Sequence, residues 1–184
     1  MEDLKAWMDT HARLAFRLPG GAGQRDSRLD GLFARLRAAA CPEDAAPIEE
    51  RIWALWTTSG DAAVDRLMSI GLRALSAGGY DAALEAFDEV TELAPDFAEG
   101  WNKRATVNYL IGDYDQSISD VEMTLSLEPR HFGALSGLAM IALALGEEEQ
   151  AVDAFEAALE IHPHMIGDNR QIRELRARVR GRDI

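Results

Sequence analysis

Apolar residues recur three and four positions apart along most of the chain, and the runs are cut at fixed intervals. Such spacing places them on one face of an α-helix, so a series of amphipathic helices is expected. The cuts are regular. Gly78, Gly112 and Gly146 stand 34 residues apart, as do Pro95, Pro129 and Pro163. Glycine suits the left-handed position that ends many helices, and proline cannot continue one. Residues 64–97, 98–131 and 132–165 therefore read as three helix-turn-helix units in tandem.

The flanks carry weaker versions of the same signal. Leu4, Trp7, Met8, Ala15 and Leu18 have helical spacing over residues 1–18, and Pro19-Gly20-Gly21-Ala22-Gly23 then reads as a linker, so 1–27 is an amphipathic segment followed by a joint. The glycine run has no preceding strand, no P-loop lysine, and Asp26 where a third glycine of a dinucleotide motif would fall. Residues 28–63 hold two apolar stretches, Leu29-Leu32-Phe33-Leu36 and Ile48-Ile52-Trp53-Leu55-Trp56, separated by Cys41-Pro42-Glu43-Asp44. They are expected to form a degenerate helical pair capping the N-terminal end of the array. At 166–184, Asp168 or Asn169 can cap a last helix whose apolar face is Ile172, Leu175 and Val179, shielding the final unit.

Inside the units, small and large residues fall in columns. Gly71, Ala105 and Ala139 align in the first helices; Ala83, Ser117 and Ala151 align in the second, as do Phe87, Val121 and Phe155. Small side chains let two helix axes approach, and the larger residue fills the adjoining gap.

On these residues the chain resembles the tetratricopeptide repeat family. The second unit supplies Trp101, Ala105, Gly112, Tyr114, Ser117, Val121 and Pro129, and the first Leu67, Gly71, Gly78, Tyr80, Ala83, Phe87 and Pro95. The third supplies Leu135, Ala139, Gly146, Ala151, Phe155 and Pro163, with Glu148 in place of the tyrosine. The resemblance implies an all-α, right-handed superhelical solenoid of antiparallel helix pairs, with a concave groove lined by the first helix of each unit. It also implies that the groove is formed by Asp65, Met68, Ser69 and Leu72, then Glu99, Asn102, Lys103, Thr106 and Tyr109, then Ser136, Gly137, Met140 and Leu143. Asn102 would hydrogen-bond an extended peptide, Tyr109 would offer a rigid contact, and Gly137 would admit a main chain. Some family members hold acidic chaperone tails in a clamp of lysine, arginine and asparagine. Here only Asn102 and Lys103 fit that set, while Met68, Leu72, Gly133 and Gly137 depart from it.

Charge narrows the partners. The 184-residue chain carries a formal −13, distributed as 8 Lys/Arg against 10 Asp/Glu in 1–63, 5 against 19 in 64–165, and 6 against 3 in 166–184. An acidic array repels phosphate backbones and anionic membrane surfaces. A basic or amphipathic polypeptide is the expected partner, with self-assembly through Trp7, Trp53 and Trp56 as the rival reading. Nucleic acid is not expected, and neither is membrane insertion, since no stretch approaches the ~20 apolar residues of a membrane helix. The start Met-Glu-Asp-Leu-Lys does not resemble a secretory signal. A cytoplasmic location is expected, or a periplasmic one if the true start differs.

No residue set suggests catalysis, a cofactor or a metal. Cys41 is the single cysteine. His162-Pro163-His164 sits at a helix stop instead of on one helical face. Asp113, Asp115, Ser117 and Asp120 resemble a calcium loop only loosely, because Ile118 stands where the turn needs glycine. Arg170, Arg173, Arg176, Arg178, Arg180 and Arg182 read as a solvated face beside the acidic array. The chain is expected to bind a peptide or helix of another protein, not to catalyse a reaction.

Overall fold

The computed structural model describes residues 26–165 and 168–181, and among them every regular element is a helix. In chain order these are α1 (Ser27–Ala38), α2 (Pro42–Trp56), α3 (Ala62–Ser76), α4 (Tyr80–Leu93), α5 (Ala98–Ile111), α6 (Tyr114–Leu127), α7 (Phe132–Leu145), α8 (Glu148–Ile161) and α9 (Asp168–Arg180). Of the amphipathic segment and linker expected over 1–27, residues 1–25 lie outside the described residues.

Local chemistry sets the ends of the repeated pairs. Asp61 opens α3 by accepting from the backbone N–H groups of Ala63 and Val64 at 2.7 and 3.3 Å, and Asp113 opens α6 by accepting from Gln116, each satisfying donors that lack a partner inside the helix. Gly112 and Gly146 close α5 and α7 at φ 85 and 82, the left-handed region where a side chain would strain the backbone. Pro95, Pro129 and Pro163 lie in the turns between helices.

The paired columns meet as the period requires. Ala83, Phe87, Ser117, Val121, Ala151 and Phe155 are all buried. A methyl group added at Gly71 would lie 2.5 Å from the Phe87 ring, so α3 and α4 cross closely because one side lacks a side chain and the other brings an aromatic one. Ser117 keeps the same close crossing between α5 and α6 and donates its hydroxyl to the Ala105 carbonyl at 2.8 Å.

At the C-terminal end, α9 lays Ile172 and Leu175 on the core formed by α7 and α8, with Val179 at its margin. Arg176 pairs with Glu156 and Arg178 with Glu148 of α8.

The N-terminal pair departs from expectation. It does not extend the stack beyond α3; it folds back onto the third unit. Leu29, Leu32, Phe33 and Leu36 of α1 and Ala45, Ile48, Ile52 and Trp56 of α2 share one core with Phe132 and Leu135 of α7 and Ala157 and Ala158 of α8. The reason is steric. Trp53 lies against Gly133, where an added methyl would come within 2.7 Å of the indole, and the matching positions of the other units carry Asp65 and Glu99. The missing side chain at Gly133 is what leaves room for the ring.

Candidate functional site

The first helices α3, α5 and α7 present equivalent positions on one face, and the α1–α2 hairpin divides that face into a covered and an open part. Coverage begins at the N-terminal turns of α5 and α7. His131, the cap of α7, accepts from the Ala134 N–H through Nδ1 at 3.0 Å and meets a Glu99 carboxylate oxygen through Nε2 at 2.9 Å. Trp56 stacks on the His131 ring, with centroids 4.1 Å apart and planes 9° from parallel. Trp53 meets the edges of His131 and Phe132, and the Lys103 ammonium lies 5.3 Å from its ring centroid.

Glu99 is the electrostatic centre of this part. It is fully buried, yet Lys103 Nζ sits 2.9 Å from Oε1 and Asn102 donates to Oε2 at 2.9 Å. Burial alone would raise its pKa, but the His131 hydrogen bond and the Lys103 charge outweigh it and hold the carboxyl at about 2.

The hairpin is tied at its edges as well. Glu49 accepts from the Trp53 indole at 3.2 Å and meets His162 Nε2 at 3.1 Å. His164 donates to the Ala39 carbonyl at 2.8 Å. Arg130 reaches Asp30 at 2.6 Å and Glu128 at 2.9 Å while its guanidinium covers the Phe33 ring at 4.4 Å. Two buried polar atoms are left over: the Trp56 Nε1 donor and the His162 ring nitrogen Nδ1 have no hydrogen-bond partner. An unmet buried group of this kind costs about 1–3 kcal/mol.

These contacts correct part of the expected groove. Glu99 and Asn102 are buried in the polar cluster, and Lys103 is turned to Glu99 and Trp53, so none of the three faces an incoming peptide. Trp53 and Trp56 pack in the hairpin's own docking, and Trp7 lies outside the described residues. Asp65 accepts from the backbone N–H and hydroxyl of Ser59 at 2.8 and 2.7 Å, which ties the α2–α3 linker to α3.

The open part is formed mainly by α3. A cavity of about 730 Å³ is lined by Thr57, Asp65, Met68, Ser69, Leu72, Arg73, Ser76 and Ala77. Met68 is itself buried at its floor, and Arg73 donates to the Ser69 hydroxyl at 2.7 Å. Farther along the face, Thr106 is exposed and bonded to the Asn102 carbonyl, Tyr109 is half-buried against Tyr114, and Leu143 is half-buried. Gly137 opens onto free space, Met140 is 40% exposed, and Ser136 is half-buried near Met165. The structure thus brings together Asp65, Met68, Ser69 and Leu72, and separates them from the buried Glu99 cluster.

The residues weighed as a calcium loop have other partners. The Asp120 carboxylate is buried and held by Arg104 at 2.7 and 3.0 Å and by Asn108 at 3.0 Å, while Asp113 caps α6. Among the described residues no three His, Cys, Asp or Glu side chains are grouped to hold a metal ion, and no helix is long and apolar enough to cross a membrane.

Sequence reasoning missed the docking role of His131, Phe132 and His162. One signal was present: Gly133 stands early in a helix, at a face position where the other units carry carboxylates, as expected where another element comes close.

Comparison with known proteins agrees with this architecture. The family model described as "Tetratricopeptide repeat" matches residues 68–123 and 111–166. A TPR repeat-containing protein of Rhizobium etli is 45% identical over 111 residues, which is 60% of this chain and 54% of that protein, so the chain spans about half of that relative's length. The tetratricopeptide repeat protein 36 homolog of Nematostella vectensis is 30% identical over 58% of this chain and 59% of its own length. Among solved structures, the Sgt2 TPR domain of Aspergillus fumigatus superposes with a TM-score of 0.62 at 18% identity, over 67% of this chain and 83% of that one. The first TPR of Spaghetti (RPAP3), bound to an HSP90 peptide, gives 0.60 at 20% identity over 63% and 92%. Three helical pairs in register, the packed columns between them and a family match across more than half the residues lead to one assignment: the chain belongs to the tetratricopeptide repeat family.

Proposed function

We propose that this protein is an interaction module that holds a peptide or helix of another protein in the open part of its first-helix face. The observation that carries the reading is the cavity of about 730 Å³ along α3, where Met68 and Leu72 give an apolar floor and Ser69, Arg73 and Ser76 give hydrogen-bonding groups. Such a surface suits an extended or helical segment with apolar side chains between polar ones. The acidic balance of residues 64–165, with 19 Asp/Glu against 5 Lys/Arg, favours encounter with a basic segment. The peptide held by the RPAP3 domain shows what a related fold can carry and leaves the partner of this chain to experiment.

The test is a photo-crosslinking residue in place of exposed Ser69, used in cells of the native organism alongside a Leu72→Glu variant. A polypeptide crosslinked at 69 and lost from the Leu72→Glu chain, with thermal unfolding unchanged, is the expected result. A partner retained at equal yield by both chains would place binding elsewhere.

A further inference from the structure

The hairpin occupies a place that the rest of the chain has shaped as a receptor. We propose that the N-terminal turns of α5 and α7 form a second, separate helix-binding seat, that α2 is its resident ligand, and that a partner helix presenting a carboxylate and two indoles on one face replaces it.

The recognition pattern can be read because the seat is seen filled. Glu49, Trp53 and Trp56 fall at i, i+4 and i+7 on α2, so they share one face. Each has its own receiver: His162 for the carboxylate at 3.1 Å, the hollow over Gly133 beside Lys103 for the first indole, and the His131 ring at 4.1 Å for the second. The receivers come from the end of α8, the start of α7 and the first turns of α5. They belong to the array, not to the hairpin.

Several features make α2 a replaceable occupant. Its Trp56 Nε1 is buried without an acceptor, a cost that leaves the seat with α2, and His162 Nδ1 on the array is unpaired, so a competing helix that brings a donor to that nitrogen fits better. Pro47 removes one backbone hydrogen bond from the interior of α2, which lowers the intrinsic helicity of the resident. The hairpin joins the array through residues 57–61, where Gly60 at φ 86 makes the turn and Ser59 is fastened to Asp65, so the joint stays tied to α3 whether or not the seat is filled. A receptor whose own segment fills it has a lowered apparent affinity, in proportion to the fraction of time the seat is free. This inference does not depend on the α3 cavity. The two can fail separately.

The experiment uses the full chain and a fluorescein-labelled peptide of residues 42–57. In the chain, Asp30→Arg with Glu49→Arg sets a like charge against Arg130 and takes the carboxylate away from His162 and the Trp53 indole; the two replaced side chains are 73% and 33% exposed. Fluorescence anisotropy should show the peptide binding this double variant at least about tenfold more tightly than the unaltered chain. Binding should be lost when both peptide indoles are alanine, and when Gly133→Val fills the hollow in the same background. Equal affinity for both chains, or binding indifferent to the indoles, would overturn the proposal. So would a concentration-dependent dimer of the double variant that takes up no peptide, because the seat would then belong to a second copy. Should the double variant lose helicity, hydrogen exchange on the unaltered chain decides: excess peptide must speed exchange of the α2 backbone amides, and unchanged exchange refutes displacement.

Discussion

The three tandem units and the hairpin that leans on them are both built from short amphipathic helices, but they are held by different physics. In the units, contacts repeat with the sequence period and are close-packed: Phe87 against Gly71, with the small column of Ala83, Ser117 and Ala151 at successive crossings. At the hairpin seat the contacts occur once and are aromatic and polar, with Glu99, His131 and His162 buried and the Trp56 Nε1 and His162 Nδ1 atoms unpaired. Packing that every unit shares can be strengthened by repetition. A single polar seat has no such reinforcement, and its stability follows solvent conditions more closely.

The largest effect should come from the first region. Phe87→Ala removes a fully buried ring that fills the space over Gly71 and should cost about 3–5 kcal/mol in urea unfolding. Ala83→Trp should cost on the order of 1–3 kcal/mol or more by overpacking the same crossing. A loss below 1 kcal/mol for Phe87→Ala would mean that the α3–α4 crossing does not hold the first unit together.

Acid separates the regions by sign. The folded pKa of Glu99 is about 2 against an ordinary 4.5, so its stabilisation is fully present above pH 4.5 and is lost as pH falls towards 2. The shift corresponds to on the order of 3 kcal/mol. Titration between pH 6 and 2, followed by indole fluorescence for the seat and far-ultraviolet circular dichroism for the whole, should show the fluorescence changing first. In a Glu99→Gln chain that early step should vanish. Coincident transitions in the unaltered chain would erase the contrast between the two regions.

How much was legible follows the same division. The units could be read because a period of 34 residues repeats the same packing problem three times, and Gly71, Phe87, Pro95 and their counterparts each repeat one answer. The hairpin's helices were legible for the same reason that any amphipathic helix is. Its docking place was not, because the contact between Trp53 and Gly133 joins positions 80 residues apart and has no second copy to mark it. For the site, the face positions Asp65, Met68, Ser69 and Leu72 could be taken from the repeat register, whereas the burial of Glu99 and Asn102 could not, since it depends on where the hairpin lies.

Gly133→Ala sharpens the comparison at lower energy. The new methyl would come within 2.7 Å of Trp53, a clash costing about 1–3 kcal/mol, while replacing a helical glycine returns up to about 1 kcal/mol to α7. Indole fluorescence should therefore shift, and the net loss in urea should stay near 1 kcal/mol. A stabilised chain with unchanged fluorescence would show that the ring gives way without leaving its place.

The smallest effect tests whether exposed charges matter to the hairpin at all. Asp30 is 73% exposed where it meets Arg130, and Arg130 keeps Glu128 and the Phe33 ring when that carboxylate is removed. An exposed pair contributes about 0–1 kcal/mol and is screened by salt. Asp30→Ala should thus lower the unfolding free energy in urea by no more than about 0.5 kcal/mol, less at 1 M salt than at 0.05 M. If it instead cost as much as Gly133→Ala, the hairpin would be held by its rim charges more than by its two indoles, and the contrast between a packed array and an aromatic seat would have to be redrawn as one between apolar and ionic contacts.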